Sequence, residues 1–397
     1  KDMPVLGGTP AVLGTTMTAT ASGSIADGKP VVINANGTVS QAAAVSGTSL
    51  VLLHAVPELI VEYYLDEAFN VSNNGVHYRG GGSIEMHSTG VGGICFNNDG
   101  TKLFHASRTP DAVQEFALSV AYDTNTLKYT RELNISSQES EATGVRFNAD
   151  GTKMFVVGYS GDDVNEYALS SGFDVSTASF TDSFSVSSQE SSPNGLAFNT
   201  DGTKMFIVGS SGDDVNEYAL STGFDVSTAS FTDAFSVVDQ TTYPNDICFN
   251  TDGTKMFICG IYEMIYQYTL STGFDVSTAS FANTFMFTHD RFNPGVSTTG
   301  SAISGLIFGS GCPPPGNYIG IASGAYSDGN TVTIQLIGSI DDAQSGMTAG
   351  TLQYVQRDGS IGSRITPVVA GVALTQTKLL VKGGYNNLFH TGMPYGV

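Results

Sequence analysis

One segment of this chain repeats at a constant spacing of 51 residues, and that spacing restricts the possible folds more than any other feature. The string Phe-Asn-x-Asp-Gly-Thr-Lys marks each copy, and its four starts are Phe96, Phe147, Phe198 and Phe249. Two further blocks, NEYAL at residues 216–220 and then GFDVSTASF, follow every copy in identical or looser form. Self-similarity at such a period is typical of solenoids, propellers and other repeat arrays.

Each unit predicts four short strands. In the third copy, apolar segments are separated by Asp201-Gly202, which is a turn signal, and by the polar residues 211–214. The segment KMFIVGS is apolar on both faces, as expected for a strand between neighbouring sheets. The predicted strands are residues 195–199, 204–210, 215–221 and 230–237, with a loop at 223–229. Four strands in about 50 residues is the size of a propeller blade.

A fifth unit is split between the two sides of the repeats. Residues 61–65 and the following AFNVSNNGVHY match the third strand, loop and fourth strand of the other units, but no first strand precedes them. Residues 302–308 (AISGLIF) are the candidate first strand. A blade built from both ends would close the ring and remove open sheet edges. Closure into five blades is therefore predicted, and an open stack of blades is the alternative.

The flanks of the repeats, residues 1–47 and 312–397, predict one further β-domain with hairpin signals at Asn36-Gly37 and Asp358-Gly359. The first flank alone is too small to bury a core, but together they have a normal domain size. The predicted fold is all-β, a five-bladed β-propeller of about 51-residue four-stranded repeats inserted into a small β-barrel or sandwich. The propeller is predicted over residues 48–311, with blades near 91–140, 142–190, 193–241 and 244–290, and a closing blade from 48–88 plus 294–311.

The charge balance excludes several classes of protein. There are 37 acidic and 16 basic side chains, and the formal net charge is −21. Binding to nucleic acid requires clustered Lys and Arg, so no nucleic-acid partner is expected. The most apolar stretch, residues 50–65, is too short and too polar to span a bilayer, and residues 1–14 lack the apolar region of a signal peptide. We therefore expect neither membrane insertion nor a signal peptide in this chain.

Motifs for catalysis, cofactors or metals are not found in the sequence, so no catalytic residue, cofactor or metal site is predicted. Cys248 and Cys259 flank one predicted hairpin and could pair, although buried free thiols are favoured. The recurring Asp-Gly-Thr-Lys could form a ring of carboxylates for a ligand. The favoured interpretation is that Asp-Gly makes each turn and that Lys lies on its exposed side.

Candidate binding residues lie in the loops between the second and third strands. The acid pairs Asp162-Asp163 and Asp213-Asp214 could bind Ca²⁺ if further oxygen ligands converge on them. The last copy departs from the repeat there and carries Tyr262, Met264 and Tyr266, residue types that are enriched at interfaces. The first copy departs differently, with residues 108–111 (RTPD). Exposed turns and ordinary packing are the alternatives for both sets.

The repeat units, typified by FNTDGTKMFIVGSSGDDVNEYALSTGFDVSTASF, resemble the propeller repeats of virion proteins from marine bacteriophages. The flanking segments ASGSIADGKPVVINANGTVS and SGMTAGTLQYVQRDGSIGS resemble a small β-module of phage capsid-decorating and tail-fibre-like proteins. Together the two resemblances cover most of the chain. They imply a location in the virion, major capsid or tail proteins as partners, and assembly as a homo-oligomer.

The resulting prediction is a non-enzymatic virion protein. Its β-module would attach to the particle as a capsid decoration or fibre part, and its propeller would project as an exposed knob able to contact a host surface or glycan. A secreted propeller hydrolase or lactonase is one alternative, and it would require acid/base or metal-binding side chains at the channel mouth. A free carbohydrate-binding module is the other.

Overall fold

The computed structural model describes residues 16–55, 59–72, 75–82, 91–287, 302–311, 317–366 and 368–383. Across these ranges, the regular elements are strands and four short 3-10 turns. The chain divides into two compact units. One contains residues 16–45 and 317–383, and the other contains the described residues of 46–311. No helix within these ranges has the length and apolar character needed to cross a membrane.

The strands are numbered along the chain. Those before the repeats are β1 (Thr16–Thr20), β2 (Pro30–Ile33), β3 (Val39–Gln41), β4 (Val45–His54), β5 (Leu59–Leu65) and β6 (Val76–Gly82). Those within the repeats are β7 (Val91–Phe96), β8 (Lys102–Arg108), β9 (Asp111–Leu118), β10 (Leu127–Asn134), β11 (Ala142–Phe147), β12 (Lys153–Gly158), β13 (Asp163–Leu169), β14 (Ala178–Ser185), β15 (Pro193–Phe198), β16 (Lys204–Gly209), β17 (Asp214–Leu220), β18 (Ala229–Ser236), β19 (Asp246–Phe249), β20 (Lys255–Cys259), β21 (Met264–Leu270) and β22 (Ala279–Met286). Those after the repeats are β23 (Ile303–Gly311), β24 (Tyr318–Ala322), β25 (Thr331–Gln335), β26 (Ile340–Asp341), β27 (Leu352–Val355), β28 (Ile361–Gly362), β29 (Val369–Ala373) and β30 (Leu379–Val381). The 3-10 turns are Thr124–Thr126, Val175–Thr177, Val226–Thr228 and Val276–Thr278.

Each repeat folds into one four-stranded antiparallel sheet whose strands lie side by side in chain order. We call β7–β10, β11–β14, β15–β18 and β19–β22 the first to fourth repeat sheets. A fifth four-stranded sheet, the composite sheet, has the order β23-β4-β5-β6 and combines strands from both sides of the repeats. The four strands predicted for the third unit are confirmed to within a few residues.

The second strand of each repeat sheet is buried on both faces because it lies between two neighbouring sheets. In the third repeat sheet, Met205 packs into the core shared with the second, whereas Phe206 packs into the core shared with the fourth. Both side chains are fully buried. This burial explains why KMFIVG reads as continuously apolar rather than alternating.

Consecutive sheets share apolar cores that follow one another in a cycle. The composite sheet packs against the fourth repeat sheet through a core that includes Tyr63 and Phe257. It also packs against the first repeat sheet through a core that includes Val51 and Leu103. The first strands contact one another in the order β7, β11, β15, β19, β23 and then β7 again. The described sheets therefore form a propeller-like all-β arrangement.

The unit formed by residues 16–45 and 317–383 contains two five-stranded sheets. The first has the order β1-β25-β24-β2-β3 and the second has the order β26-β30-β29-β27-β28. The Asn36-Gly37 signal lies in the turn between β2 and β3, and Asp358-Gly359 lies between β27 and β28. Val31 from the first flank and Val332 from the second belong to one buried cluster. Neither flank builds this core alone.

A glycine in the left-handed region and an aromatic ring hold each loop of the five four-stranded sheets. In the third repeat sheet, Gly202 has φ +72° and Phe224 has φ +58°. The Phe224 N–H donates to the Gly202 carbonyl at 3.0 Å, and the ring covers the glycine so closely that a Cβ there would overlap it. The equivalent pairs are Gly47 with Phe69, Gly100 with Tyr122, Gly151 with Phe173 and Gly253 with Phe274.

The turn lysines do not lie on an exposed side, which corrects the expectation from the sequence. Lys204 Nζ donates to the Phe274 carbonyl of the next sheet at 2.7 Å and lies 2.7 Å from Glu217 Oε1. Glu217 Oε2 accepts the Val276 N–H of that next sheet at 3.0 Å. Asp201, as expected, makes the turn, because its Oδ1 accepts the Thr203 N–H at 3.0 Å.

We call this arrangement the inter-sheet latch, in which a lysine and an acidic or amide side chain hold the backbone of the following sheet. The lysine contacts are Lys102 to Phe173 O, Lys153 to Phe224 O, Lys204 to Phe274 O and Lys255 to Phe69 O. The acceptor contacts are Glu115 with Val175 N, Glu166 with Val226 N, Glu217 with Val276 N and Gln267 with Val71 N. From the composite sheet to the first repeat sheet, Arg79 joins Glu62 at 2.6 Å to Asp123 at 2.7 Å.

Replacing Gly202 by Ala is expected to destabilise the repeat unit because it adds both a left-handed penalty of about 1–2 kcal/mol and an overlap with the Phe224 ring. Urea unfolding of Gly202→Ala, Phe224→Ala and the double variant would measure the coupling between the two sites. We expect the Gly202→Ala cost to be smaller in the Phe224→Ala background. Equal costs in both backgrounds would contradict the steric part of this explanation.

The latch predicts different outcomes for two substitutions of Glu217. Glu217→Ala leaves the Val276 N–H without its acceptor and should lower the free energy of unfolding by about 1–3 kcal/mol. Glu217→Gln reproduces the side chain of Gln267, whose Oε1 accepts the Val71 N–H at 3.3 Å, and should cost less than Glu217→Ala. Chemical denaturation measures the free energy of unfolding of both variants. Equal losses would show that the hydrogen bond to the Val276 N–H does not contribute to stability.

Candidate functional site

Two kinds of segment lie at the same end of the repeat sheets. The first strands begin there, and the turns between the second and third strands lie there too, because the strands are antiparallel. A pocket of about 150 Å³ opens at this edge. The first strands of the five sheets contact one another in a cycle, and we call the centre of that cycle the axis. We call the pocket the axial pocket, and its lining residues are Ala55, Gly92, Arg108, Thr143, Asn194, Asn245, Ala302 and Ser304.

Half of the lining residues come from one position of the repeat. Gly92, Thr143, Asn194 and Asn245 are spaced by 51 residues and lie at or beside the start of the first strand of their sheets. Thr143 Oγ1 donates to the Pro193 carbonyl at 3.0 Å. Asn194 Nδ2 donates to Pro244 O at 3.1 Å, and Asn245 Nδ2 donates to Ile303 O at 2.9 Å. These side chains therefore join consecutive sheets around the axis and occupy fixed positions.

Arg108 contributes the positive charge of the pocket. It ends β8 and lies in the turn where the first repeat departs from the others. Its Nε is buried and has no hydrogen-bond partner among the described residues, and none of them forms an ion pair with its guanidinium. A guanidinium presents its N–H donors in a planar fork that suits a carboxylate or phosphate.

A buried ion pair lies next to the lining of the axial pocket, because Asp246 directly follows the lining residue Asn245. Arg146 Nη2 lies 2.7 Å from Asp246 Oδ1, and both side chains are buried. Arg146 also donates to the Ile94 carbonyl at 3.1 Å, and Asp246 Oδ2 accepts the Leu306 N–H at 3.0 Å. The pair thus connects the second and fourth repeat sheets with the first repeat sheet and the composite sheet.

Burial governs the protonation of the groups along the axis. It raises the pKa of Asp246, while the Arg146 guanidinium and the Leu306 and Ile247 N–H groups oppose that rise. Burial lowers the pKa of Arg146, but the combined effect of Asp246, Cys95 and Cys248 outweighs burial, and the pKa is raised. Burial raises the pKa of the Cys95 thiol to about 12. Arg146 is therefore held charged beside its carboxylate, and Cys95 is held as an unreactive thiol.

A second pocket, of about 310 Å³, lies at the other ends of the first strands. The aromatic rings of Phe147, Phe198 and Phe249 and the side chain of Arg146 contribute to its lining. Because Arg146 already binds Asp246, this pocket has less free charge to offer a ligand than the axial pocket.

The acid pairs named from the sequence lie in the turns at the same edge as the axial pocket. Asp163 Oδ1 accepts from Asn165 Nδ2 at 2.6 Å, and Asp214 Oδ1 accepts from Asn216 Nδ2 at 2.6 Å. Asp162 and Asp213 have φ near +50°, at 50° and 52°. Their Oδ1 atoms are buried without a hydrogen-bond partner in the described part of the chain.

Each acidic turn is organised around a buried glutamate that the sequence analysis did not identify. Glu190 accepts the N–H groups of Ser192, Ser211 and Gly212 at 2.7, 3.1 and 3.0 Å. Burial raises the pKa of Asp214, and the Asn216 hydrogen bond partly offsets this rise. Among the described residues, no three His, Cys, Asp or Glu side chains converge so that they could hold a metal ion.

The three candidate binding residues of the last repeat, Tyr262, Met264 and Tyr266, differ in how far they are exposed to solvent. Tyr262 is 61% exposed, with φ +62°. Tyr266 is buried in the core between the third and fourth repeat sheets, and its hydroxyl donates to Met264 Sδ at 3.3 Å. Of the three, Tyr262 is therefore the side chain most available to a partner.

Cys95, Cys248 and Cys259 are buried free thiols, as favoured from the sequence. The disulfide considered between Cys248 and Cys259 is therefore not formed. Cys312 lies outside the described residues.

Arg146 and Asp246 are the axial residues that sequence reasoning missed. The aligned positions offer a signal, because Arg146 replaces Cys95, Ala197 and Cys248 of the other copies. Asp246 likewise stands where the second and third copies have Gly144 and Gly195. A complementary pair of charges that both break a repeat at apolar positions indicates an internal ion pair.

No protein-family model matches the chain, and no curated protein matches it in sequence. Similar solved structures include a protein of unknown function from Desulfotomaculum acetoxidans, with a TM-score of 0.38, 12% identity, and coverage of 78% of this chain and 90% of that one. A protein from Bacteroides fragilis provisionally described as a 6-phosphogluconolactonase has a TM-score of 0.37, 11% identity, and coverage of 76% and 86%. A periplasmic gluconolactonase from Pseudomonas aeruginosa has a TM-score of 0.34, 13% identity, and coverage of 70% and 72%. These scores are too low to support an inference about activity.

Because Arg146 and Asp246 form a buried ion pair, we expect the effects of substituting them on the free energy of unfolding to depend on each other. Arg146→Ala leaves Asp246 buried without its counter-ion and should cost about 3–5 kcal/mol of unfolding free energy. The double variant Arg146→Ala/Asp246→Gly places the residues of the third repeat, Ala197 and Gly195, at both positions and should recover much of the loss. Denaturant unfolding measures both. If the double variant is as unstable as Arg146→Ala, the loss is not caused by the unpaired charge of Asp246.

Proposed function

We propose that this protein is a non-enzymatic component of a bacteriophage virion, in which a two-segment β-module attaches to other virion proteins and a five-bladed β-propeller contacts the host surface or a glycan. The observation that carries the proposal is the sheet β1-β25-β24-β2-β3, which interleaves strands from both ends of the chain. This sheet supports an insertion of the repeats into a domain whose sequence resembles an attachment module of phage particles.

The five-bladed ring is supported by the order of the sheets and their cores. There are five four-stranded sheets, and each shares a buried cluster with the next in a complete cycle. In the composite sheet, β4 enters the ring and β23 leaves it as hydrogen-bonded neighbours. Closure between the two ends of an insertion covers the apolar sheet faces that the first and last repeats would otherwise expose.

The chemistry of the axial pocket supports binding rather than hydrolysis. Arg108, Asn194, Asn245, Thr143 and Ser304 offer guanidinium, amide and hydroxyl groups, which orient a ligand through hydrogen bonds. The net charge of −21 supports solubility of many copies in one assembly, because like-charged copies repel one another. Homo-oligomerisation through the β-module completes the proposal.

Mass spectrometry of phage particles from a host culture that carries the gene tests this function. We expect peptides from both flanks and from the repeats in gradient-purified particles, in amounts comparable to other structural proteins. Particles from a phage with the gene disrupted are the matched control, and they should lack these peptides and adsorb less well to the host.

Two results would overturn the proposal. One is recovery of the chain solely from the soluble fraction, with an unchanged particle composition after gene disruption. The other is hydrolysis of sugar lactones by the purified chain, which would favour the hydrolase alternative.

A further inference from the structure

We propose that the axial pocket binds the carboxylate of an acidic sugar and that Arg108 is the residue that binds it. This inference rests on the proposed function, because it names the class of glycan that the propeller would contact. Five properties of the pocket lead to it: a cation without an ion pair among the described residues, nearby acceptors, a neighbouring carboxylate that is already paired, small size and exposed tyrosines on the same edge.

Arg108 differs from the other arginines of its unit. Four arginines of residues 46–311 are described, and three of them bind carboxylates. Arg79 pairs with Glu62 and Asp123, and Arg131 pairs with Asp174. In a chain of net charge −21, Arg108 lines a pocket and has no carboxylate partner within the described ranges, so its charge is available for a ligand.

The pocket also offers acceptors for hydroxyl groups. The amide nitrogens of Asn194 and Asn245 are used in hydrogen bonds to the next sheet. Their Oδ1 atoms take part in no hydrogen bond within the described ranges, so they can accept from a ligand. One cation beside two fixed carbonyl oxygens suits a molecule that carries both a carboxylate and hydroxyl groups, which is the chemistry of an acidic sugar.

The Asp246 carboxylate, which neighbours the pocket lining, does not oppose an anion. Asp246 follows Asn245 directly in the chain, but its carboxylate is neutralised by Arg146 at 2.7 Å. Asp246 therefore does not cancel the charge that Arg108 offers to the ligand.

The size of the pocket restricts the ligand further. The volume of about 150 Å³ is about half that of the smallest typical ligand pockets, which have roughly 300 Å³. That space accepts a carboxylate and the adjoining part of one sugar ring, whereas the rest of a glycan would extend over the same edge of the sheets. Tyr159, in the turn after β12, and Tyr262 are exposed on that edge, and tyrosine rings are suitable surfaces for sugar rings.

Calorimetric titration of the full chain with glucuronate and with glucose tests the inference, because the two sugars differ by the carboxylate. We expect saturable binding of glucuronate and binding of glucose that is about tenfold weaker or less. Arg108→Gln should weaken glucuronate binding by about tenfold to a hundredfold, and Arg108→Lys should restore part of it. Lys128→Gln, which removes an exposed positive charge from β10, is the matched control and should bind like the unaltered chain.

Each other outcome counts against the inference. Equal affinity for glucuronate and glucose, no binding of either, or full affinity in an Arg108→Gln variant with an unchanged melting temperature would overturn it. Acetate or phosphate that binds as tightly as glucuronate would show a general anion site instead of a sugar site. A glycan array with the same proteins separates the two proposals. Binding of neutral glycans by both the unaltered chain and Arg108→Gln would keep the proposed function and reject the role of Arg108.

Discussion

The inter-sheet latch is the interaction on which the rest of the repeat unit depends. A sheet with two apolar faces cannot remain alone in water, and apolar packing by itself does not specify how far one sheet is rotated or shifted against the next. The latch supplies that specification, because Lys204 and Glu217 hold two backbone groups of the following sheet at defined positions. Hydrogen bonds to charged groups are strong when partly buried, and leaving one unmade is costly. The same contacts recur from sheet to sheet, so one local solution orders the whole arrangement.

Several departures from the repeat lie on the axis. The outer strands β14 and β18 of the second and third copies differ at one position, whereas Arg146 and Asp246 differ in size and charge from the equivalent residues of the other copies. Arg146 and Asp246 form a buried pair that joins the second and fourth repeat sheets, and Arg108 lines the axial pocket from a turn that has a different sequence in the other copies. A symmetric framework with asymmetric axial residues separates two tasks. The framework maintains the fold, and the axial residues are free to differ for recognition.

Several features of the fold were predictable from the sequence because they are local. The 51-residue period, the Asp-Gly turns and the two-faced apolar strand led to the four-stranded sheets, and the structure confirms those strands for the third unit. The interpretation of the turn lysines was wrong, because an exposed turn position in one unit lies against the carbonyl of the next. The buried Glu190 was missed for a similar reason, since its partners are N–H groups of a turn about 20 residues later in the chain.

The sequence by itself determined the repeat unit, its strands and the positions of its left-handed glycines, since these follow from periodicity and from local steric limits. The candidate site was decided by the tertiary structure alone. Arg108, Asn194 and Asn245 line one pocket although more than 50 residues separate Arg108 from the last two, at positions 194 and 245. Likewise, Arg146 and Asp246 are 100 residues apart in the chain and form an ion pair of 2.7 Å. Such contacts depend on how the sheets are arranged around the axis, and no local property of the sequence contains that information.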